Sequence, residues 1–187
     1  MIHRRIVQSM FCLSLFFVML GCNESVSVPE DVARQLTIEQ AVIEPGFTWL
    51  QPTMDTYTPN AESVKQIADM YNADPNRSVI VYVNPGCSCG GSRPYVPHTL
   101  KGLQAAGIPS SKRSIFAMRT ASGRHPNSDK YKLEGLPSVY ILKGNMTTFY
   151  FETKNEVSTW RSSTDDKKTT VTEQDPIEAV LAQGFAL

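Results

Sequence analysis

Apolar residues form runs and helical repeats from residue 61 onwards, and their spacing predicts most elements of a folded domain. The run Ser78–Val83 is continuously apolar and β-branched, which is typical of a strand buried on both faces. Across Ala61–Asn72 the apolar residues share one helical face, and Asn60 is a candidate N-cap. By the same reasoning we predict helices over Ala61–Asn72, Pro94–Ala106 and Asp175–Gly184, a shorter helix near Ser128–Leu133, and strands over Ser78–Val83, Ser114–Met118, Ser138–Leu142 and Thr147–Thr153.

The order of these elements predicts the fold class. A β-α-β half is followed by a β-β-α half, whose two strands are joined by the tight turn Lys143-Gly144-Asn145. This order predicts an α/β domain over residues 61–187, with a central mixed sheet covered by helices on both faces. Residues 155–174 are polar and are predicted to form a surface insertion.

The part of the chain before residue 61 is predicted to be a tether and N-terminal extension, covering residues 22–60. Pro29–Glu44 has helical spacing, and Phe47–Leu50 is predicted to be a short strand.

The first 21 residues are typical of an export signal. His3, Arg4 and Arg5 form a positive head, and Met10–Leu20 is an apolar core too short for a membrane-spanning stop-transfer helix. The stretch Met19-Leu20-Gly21-Cys22 resembles the lipobox of bacterial lipoproteins. This resemblance implies that residues 1–21 are a signal peptide and that Cys22 is lipidated. An ordinary cleaved signal and an uncleaved anchor are the alternatives.

The resemblance to lipoproteins also implies a location. The chain would be lipid-anchored in the cell envelope, and Asn23 after the lipidated cysteine favours the outer membrane, facing the periplasm, if the host is Gram-negative.

Composition and charge indicate a globular domain and argue against a nucleic-acid partner. Hydrophobic residues make up 41% of the 187 residues and charged residues 19%, which is ordinary for one globular domain. Basic and acidic residues number 18 each, and removal of Arg4 and Arg5 with the leader leaves 16 against 18. A nucleic-acid partner is therefore not predicted, because it would need a concentrated basic face.

Only two cysteines remain as thiols after export. Cys12 leaves with the leader and Cys22 is consumed by lipid, which leaves Cys87 and Cys89. Outside the cytoplasm such a pair can persist as a disulfide. A Cys-x-Cys disulfide closes a very small ring, so strain should raise its reduction potential and make it labile.

Two sequence stretches resemble the thioredoxin-like superfamily, especially its membrane-anchored exported oxidoreductases. The stretch Cys89-Gly90-Gly91-Ser92-Arg93, followed by Pro97 and Leu100, is similar to the family's Cys-x-x-Cys-Arg-x-x-x-Pro-x-x-Leu segment. The stretch Gly135-Leu136-Pro137-Ser138 is similar to its Gly-Ile/Val-Pro-Thr segment. The resemblance implies a thioredoxin-like fold and a cis Pro137 facing the cysteines. Leu136 and Pro137 would then bind substrate backbone.

The chain departs from the family at the second cysteine, where Ser92 stands instead. Two registers fit. Either Cys89 is the nucleophile and Cys87 the resolving thiol, or the roles are reversed. We prefer the first, because it keeps Pro97 in the family's place. A cysteine at a helix N-terminus faces unpaired N–H groups and the positive end of the helix dipole, which stabilise its thiolate.

The predicted function is therefore that of a thiol–disulfide oxidoreductase or isomerase without a cofactor. Its partners would be thiols or disulfides of exported proteins, and a membrane redox protein is a further candidate partner.

Three other hypotheses about the function fit parts of the sequence. Cys87 and Cys89 could form an inert disulfide on a redox-inactive interaction module. They could instead bind Cu(I) in a copper-delivery protein, with His98 or His125 as a further ligand, although we expect both histidines at the surface and Met118 in the core. Finally, Cys87 to Arg93 has the Cys-x5-Arg spacing of cysteine phosphatases, with Asp175-Pro176 as a general-acid mimic, but Pro94 does not fit that loop.

Overall fold

The computed structural model describes residues 31–87, 92–165, 167–172 and 174–187. The strands are β1 (Arg34–Leu36), β2 (Arg77–Val83), β3 (Arg113–Ala117), β4 (Ser138–Lys143), β5 (Met146–Lys154), β6 (Val157–Ser162) and β7 (Thr169–Val171). The α-helices are α1 (Ile38–Ile43), α2 (Leu50–Thr56), α3 (Ala61–Ala73), α4 (Ser92–Ala105) and α5 (Ile177–Phe185), and two 3-10 turns cover Pro45–Phe47 and Ser110–Lys112. No helix within these described residues is long and apolar enough to cross a membrane.

The strands form one mixed sheet in the order β1-β3-β2-β4-β5-β6-β7. β2 and β3 run parallel, and every other neighbouring pair is antiparallel. β2 lies between β3 and β4, where Val81 pairs with Ile115 on one side and Val139 on the other. A strand in this position is buried on both faces, which explains its continuous apolar sequence. The predicted α/β class and mixed sheet are confirmed.

One face of the sheet holds the larger core. All five α-helices contribute buried side chains to it, and each fully buried leucine or phenylalanine there contributes about 1.5–3 kcal/mol. The fully buried aliphatic and aromatic residues of this core include Phe47, Leu50, Ile67, Leu100, Leu103, Ile141, Phe149, Phe151, Leu181 and Phe185.

The opposite face of the sheet was predicted to be covered by helices, but an irregular segment covers it instead. Its apolar cluster contains Tyr82, Phe116 and Tyr140 from the strands, and none of its described members comes from a helix. The segment between β3 and β4 lies over this face without forming the helix predicted near Ser128–Leu133, so the expectation of helices on both faces is wrong. The side chain of Asn127 donates to the Tyr82 hydroxyl, and Tyr131 stacks on Tyr140 at 4.2 Å between ring centroids. These contacts tie the segment to the sheet in a series of turns.

The described part of the N-terminal extension, residues 31–60, contributes buried side chains to the larger core. Asp31–Leu187 is one compact unit, and β1 pairs with the outer edge of β3. The strand predicted over Phe47–Leu50 is wrong. Pro45–Phe47 forms a 3-10 turn instead, and the Trp49 indole donates to the Gly46 carbonyl at 3.1 Å before α2 begins. Thr37 and Gln40 form a capping box that starts α1 and separates it from β1 within the predicted helical stretch.

The polar stretch 155–174 is not a simple surface insertion, because it contains β6 and β7. Asn155 and Glu156 have φ values of 50° and 66°, so they turn the chain back as a β-hairpin. The remaining predicted helices and strands are confirmed to within a few residues, including the Asn60 cap of α3.

Candidate functional site

The loop that carries Cys87 follows directly from β2. Asn84 organises this loop in three ways. Its side-chain amide donates to the Arg119 carbonyl at 2.8 Å, its Oδ1 accepts from the Gly86 N–H at 3.0 Å, and its carbonyl accepts from the Cys87 N–H at 3.2 Å. The position of Cys87 is therefore fixed relative to the ends of both β2 and β3.

The N-terminal extension supports the same loop from another side. The Trp49 indole donates to the Pro85 carbonyl at 3.3 Å. Gly46 packs so tightly that a Cβ added there would lie 2.8 Å from the Cβ of Pro85. The Asn84-Pro85-Gly86 sequence is a recognisable turn signal, but these long-range supports leave no local pattern in the sequence.

Cys87 is partly exposed and disulfide-bonded. It is the one cysteine of the described residues, so its partner lies outside them. The predicted nucleophile Cys89 and the predicted lipidation site Cys22 also lie outside the described residues.

Helix α4 begins at Ser92, the residue that the preferred register puts in the second family position. Ser92 is fully buried, whereas Arg93 is exposed. Pro97 lies inside the helix and is buried. The chain therefore passes from the Cys87 loop through four residues into the N-terminal turn of a 14-residue helix.

The predicted substrate-binding residues Leu136 and Pro137 lie at the same edge of the sheet as this loop. In the antiparallel pair of β2 and β4, Tyr82 at the end of β2 is opposite Ser138 at the start of β4. Leu136 and Pro137 precede Ser138, just as the Cys87 loop follows Val83. The Leu136–Pro137 peptide bond is cis, as the family resemblance implies.

Strand β5 holds the segment Glu134–Pro137 in place. The Thr153 N–H donates to the Pro137 carbonyl at 3.0 Å, and Gly135 passes so close that a Cβ would collide with the Thr153 carbonyl. Glu152 is buried, with 6% of its surface exposed, and accepts from the Tyr140 hydroxyl and from the Glu134 N–H. Burial raises the pKa of Glu152. This support could not be predicted from the sequence, because nothing in the local pattern marks Glu152 as buried.

Two salt bridges at the protein surface also hold the segment Glu134–Pro137. The Glu134 carboxylate pairs with Lys168 at 2.8 Å and with Arg161 at 3.4 Å. The hydrogen bond from Lys168 lowers the pKa of Glu134. Both cations belong to the stretch 155–174, which its polar sequence predicted to be a surface insertion.

The candidate metal ligands are not brought together in the described part of the chain. No group of three or more His, Cys, Asp or Glu residues there could hold a metal ion. His98 is half-buried and stacks on Tyr57, and His125 is buried against Tyr82 and Tyr131. The expectation that both are surface side chains is therefore wrong, whereas Met118 lies in the core as expected.

Asp175 is not arranged as a general acid. Its carboxylate accepts from the Thr172 N–H and hydroxyl, both at 2.8 Å, and these hydrogen bonds lower its pKa. A general acid needs a raised pKa to stay protonated at neutral pH, so the lowered pKa of Asp175 argues against the hypothesis of a cysteine phosphatase.

Comparison with protein-family models, with curated proteins and with solved structures finds no match. The function is therefore argued from the site itself.

Proposed function

We propose that this chain is a thiol–disulfide oxidoreductase or isomerase with a thioredoxin-like fold, acting on exported proteins through Cys87 and Cys89. The observation that carries the proposal is the position of Cys87. It is disulfide-bonded in a well-supported loop between the buried strand β2 and the first turn of α4. A thiol pair between a strand end and a helix N-terminus is in a suitable place for exchange chemistry.

Cys89 is the proposed disulfide partner of Cys87 and the proposed nucleophile. It precedes Ser92 by three residues, so its sulfur would be closer to the unpaired N–H groups of α4 than the sulfur of Cys87. Cys87 would then act as the resolving thiol. The positive end of the helix dipole favours the thiolate of Cys89, which makes it the readier attacking group at neutral pH and a good leaving group when a mixed disulfide on Cys89 is resolved.

The proposed reaction in the oxidising direction has two steps. A substrate thiolate attacks the Cys89 sulfur, a mixed disulfide forms, and Cys87 leaves as a thiolate that takes up a proton. A second substrate thiolate attacks the substrate sulfur of the mixed disulfide and releases the Cys89 thiolate. Two electrons pass from the substrate dithiol to the protein. Isomerisation would use the same mixed disulfide with no net electron transfer.

Leu136 and Pro137 are the proposed docking segment for the substrate backbone. They lie at the sheet edge where the Cys87 loop begins, and Thr153, Glu152 and the Glu134 salt bridges limit their movement. A fixed backbone segment beside a reactive sulfur can align an extended peptide through main-chain hydrogen bonds.

The thioredoxin-like fold and the lipid anchor are parts of the same proposal. The parallel β2-α4-β3 unit followed by β4, β5 and α5 supports the fold. Lipidation of Cys22, the envelope location and a membrane redox partner rest on the leader sequence.

Replacement of Pro137 tests the proposal against the copper-delivery alternative. Pro137→Thr should slow disulfide exchange with a scrambled or reduced test protein roughly tenfold, which corresponds to about 1.4 kcal/mol of activation free energy. It should not weaken Cu(I) binding. Pro75→Thr, at an exposed turn before β2, is the matched control and should leave exchange unchanged. Tight Cu(I) binding by the wild type, no exchange, and loss of copper on the Pro137 change would replace the oxidoreductase with a copper carrier.

A further inference from the structure

A cavity of about 740 Å³ lies beside the first two turns of α4. Pro94, Tyr95 and His98 of this helix form one wall. The other walls come from the chain around Tyr57 and Asn60, between α2 and α3, and from residues 174–177 at the start of α5. The cavity therefore opens next to the helix that follows the proposed thiol site.

Its aromatic wall is held rigidly. The Tyr57 and His98 rings stack at 3.5 Å between centroids, with an angle of 7° between their planes. The Tyr57 hydroxyl donates to both carboxylate oxygens of Glu178 at 2.7 Å, and the Asn60 N–H donates to one of them at 3.2 Å. Glu178 is fully buried and packs closely on Gly102. A fixed aromatic surface of this kind is a good platform for a flat ligand group.

The electrostatic character of the cavity favours a cation. Among the described residues that line it there is no lysine or arginine. The hydrogen bonds from Thr172 lower the pKa of Asp175, so its carboxylate is ionised at neutral pH. Burial lowers the pKa of His98, so its imidazole is neutral there and does not repel a cation. The buried Glu178 carboxylate behind Tyr57 adds negative potential.

We propose that this cavity binds an arginine side chain of an extended polypeptide. A guanidinium group is planar, so it can stack on the face of an aromatic ring while it donates paired hydrogen bonds to a carboxylate such as Asp175. A lysine ammonium offers the charge without the flat surface. The inference names the substrate class of the proposed function, on which it rests: exported polypeptides with an arginine near the reacting cysteine.

Peptide binding tests the cavity without thiol chemistry. Two cysteine-free nonapeptides that differ only by Arg or Gln at the central position are titrated against the full-length chain in detergent. The Arg peptide should bind about tenfold more tightly than the Gln peptide. Asp175→Asn should remove that preference, because the amide can still accept the bonds from Thr172 but carries no charge. The matched control is Asp69→Asn, in an exposed ion pair on α3, which should leave the preference intact. Equal binding of both peptides, or an unchanged preference in Asp175→Asn, overturns the proposal.

Cysteine-containing versions of the two peptides separate this inference from the function on which it rests. Faster disulfide exchange with the Arg peptide supports both. An Arg preference in binding without any exchange keeps the cavity assignment and removes the thiol function. Exchange at equal rates with both peptides keeps the thiol function and overturns the cavity assignment.

Discussion

At the scale of single residues, the two cysteines of the Cys-Ser-Cys stretch should differ in acidity. Ser92 is the first residue of α4, and along the chain Cys89 precedes it by three residues and Cys87 by five. The thiolate of Cys89 should be stabilised more strongly by the helix dipole and the unpaired N–H groups.

Alkylation rates measure that difference directly. In a background with Cys12 and Cys22 changed to serine, reduced Cys87→Ser (which retains Cys89) should react faster at pH 6 to 7 than reduced Cys89→Ser. Its rate should also rise with pH through a lower apparent pKa. Faster labelling of Cys87 would reverse the assignment of nucleophile and resolving thiol.

His125 is a second residue with a testable environment. It is buried against two tyrosines, and its Nδ1 has no hydrogen-bond partner among the described residues. Burial lowers the pKa of His125 below 6.5, so the unfolded chain takes up a proton more readily than the folded chain. The free energy of unfolding should therefore fall as the pH drops from 7 through the unfolded pKa towards the lower folded value.

His125→Phe should flatten this pH dependence. The phenylalanine ring keeps the aromatic packing and removes the unsatisfied nitrogen, so stability at pH 7 should be nearly unchanged or slightly higher. Urea unfolding at pH 7 and pH 5 should show a smaller loss of free energy in the variant than in the wild type. An identical loss in both proteins would show that His125 does not titrate as argued.

Residue positions that depend on local order along the chain could be predicted from the sequence, whereas residue environments that depend on tertiary burial could not. Cys87, Ser92 and Pro137 stand in recognisable motifs at strand and helix ends. Glu152 and Glu178 have the sequence character of surface residues, yet both are buried, and each accepts a hydrogen bond from a tyrosine hydroxyl of another part of the chain.

At the scale of elements, the spacing of apolar residues was sufficient to predict a helix or strand where that element carries a strong apolar face. β2, α4 and α5 fall within a few residues of their predicted bounds. The sequence did not predict β6 and β7. Both strands lie at the outer end of the sheet, and apolar and polar residues alternate only weakly along them. The turn before β6 is Asn155-Glu156, which lacks the Asn-Gly signal of a tight hairpin. In place of the helix predicted near Ser128–Leu133 the chain forms turns, in which the Asn127 amide and the Tyr131 hydroxyl both hydrogen-bond to the Tyr82 hydroxyl of the sheet.

The close contact of Gly135 with β5 gives a prediction about the docking segment. Gly135→Ala places a Cβ against the Thr153 carbonyl, so the segment carrying Leu136 and Pro137 must shift. We expect a loss of about 1–3 kcal/mol in stability together with slower disulfide exchange.

Gly144→Ala is the matched control. Gly144 has a φ of 58° in the turn between β4 and β5, at the opposite end of β4, and alanine there should cost about 1 kcal/mol. Its exchange rate should stay at the wild-type level. Equal exchange rates in the two alanine variants would mean that the position of the docking segment does not matter.

At the scale of the whole molecule, the sheet brings residues from distant parts of the chain to one edge. The Asn84–Cys87 loop and Leu136–Pro137 lie at the same edge because β2 ends where β4 begins, and α4 starts five residues after Cys87. The resemblance to the thioredoxin-like superfamily implied that Pro137 lies on the side of the cysteines. The order of elements predicted the mixed sheet but not its uneven covering, since that depends on contacts made by an irregular segment.

The proposed lipid anchor concerns the whole chain and has its own test. Cys22→Ser should block lipidation and leave an unprocessed precursor, because Cys22 follows Gly21 at the end of the apolar core. Metabolic labelling with a fatty acid and the mass of the product measure both effects. A variant that matures and fractionates like the wild type would contradict the lipoprotein proposal.

The reduction potential of the Cys87–Cys89 pair tests the central claim most directly. The full-length chain, with Cys12 and Cys22 changed to serine, is equilibrated in glutathione buffers and its free thiols are counted by mass. The proposed function requires a reversible two-electron transition, and the small ring of a Cys-x-Cys disulfide should place its midpoint above about −230 mV. A midpoint below about −300 mV, or thiols that never equilibrate with glutathione, would identify an inert structural disulfide and contradict the account.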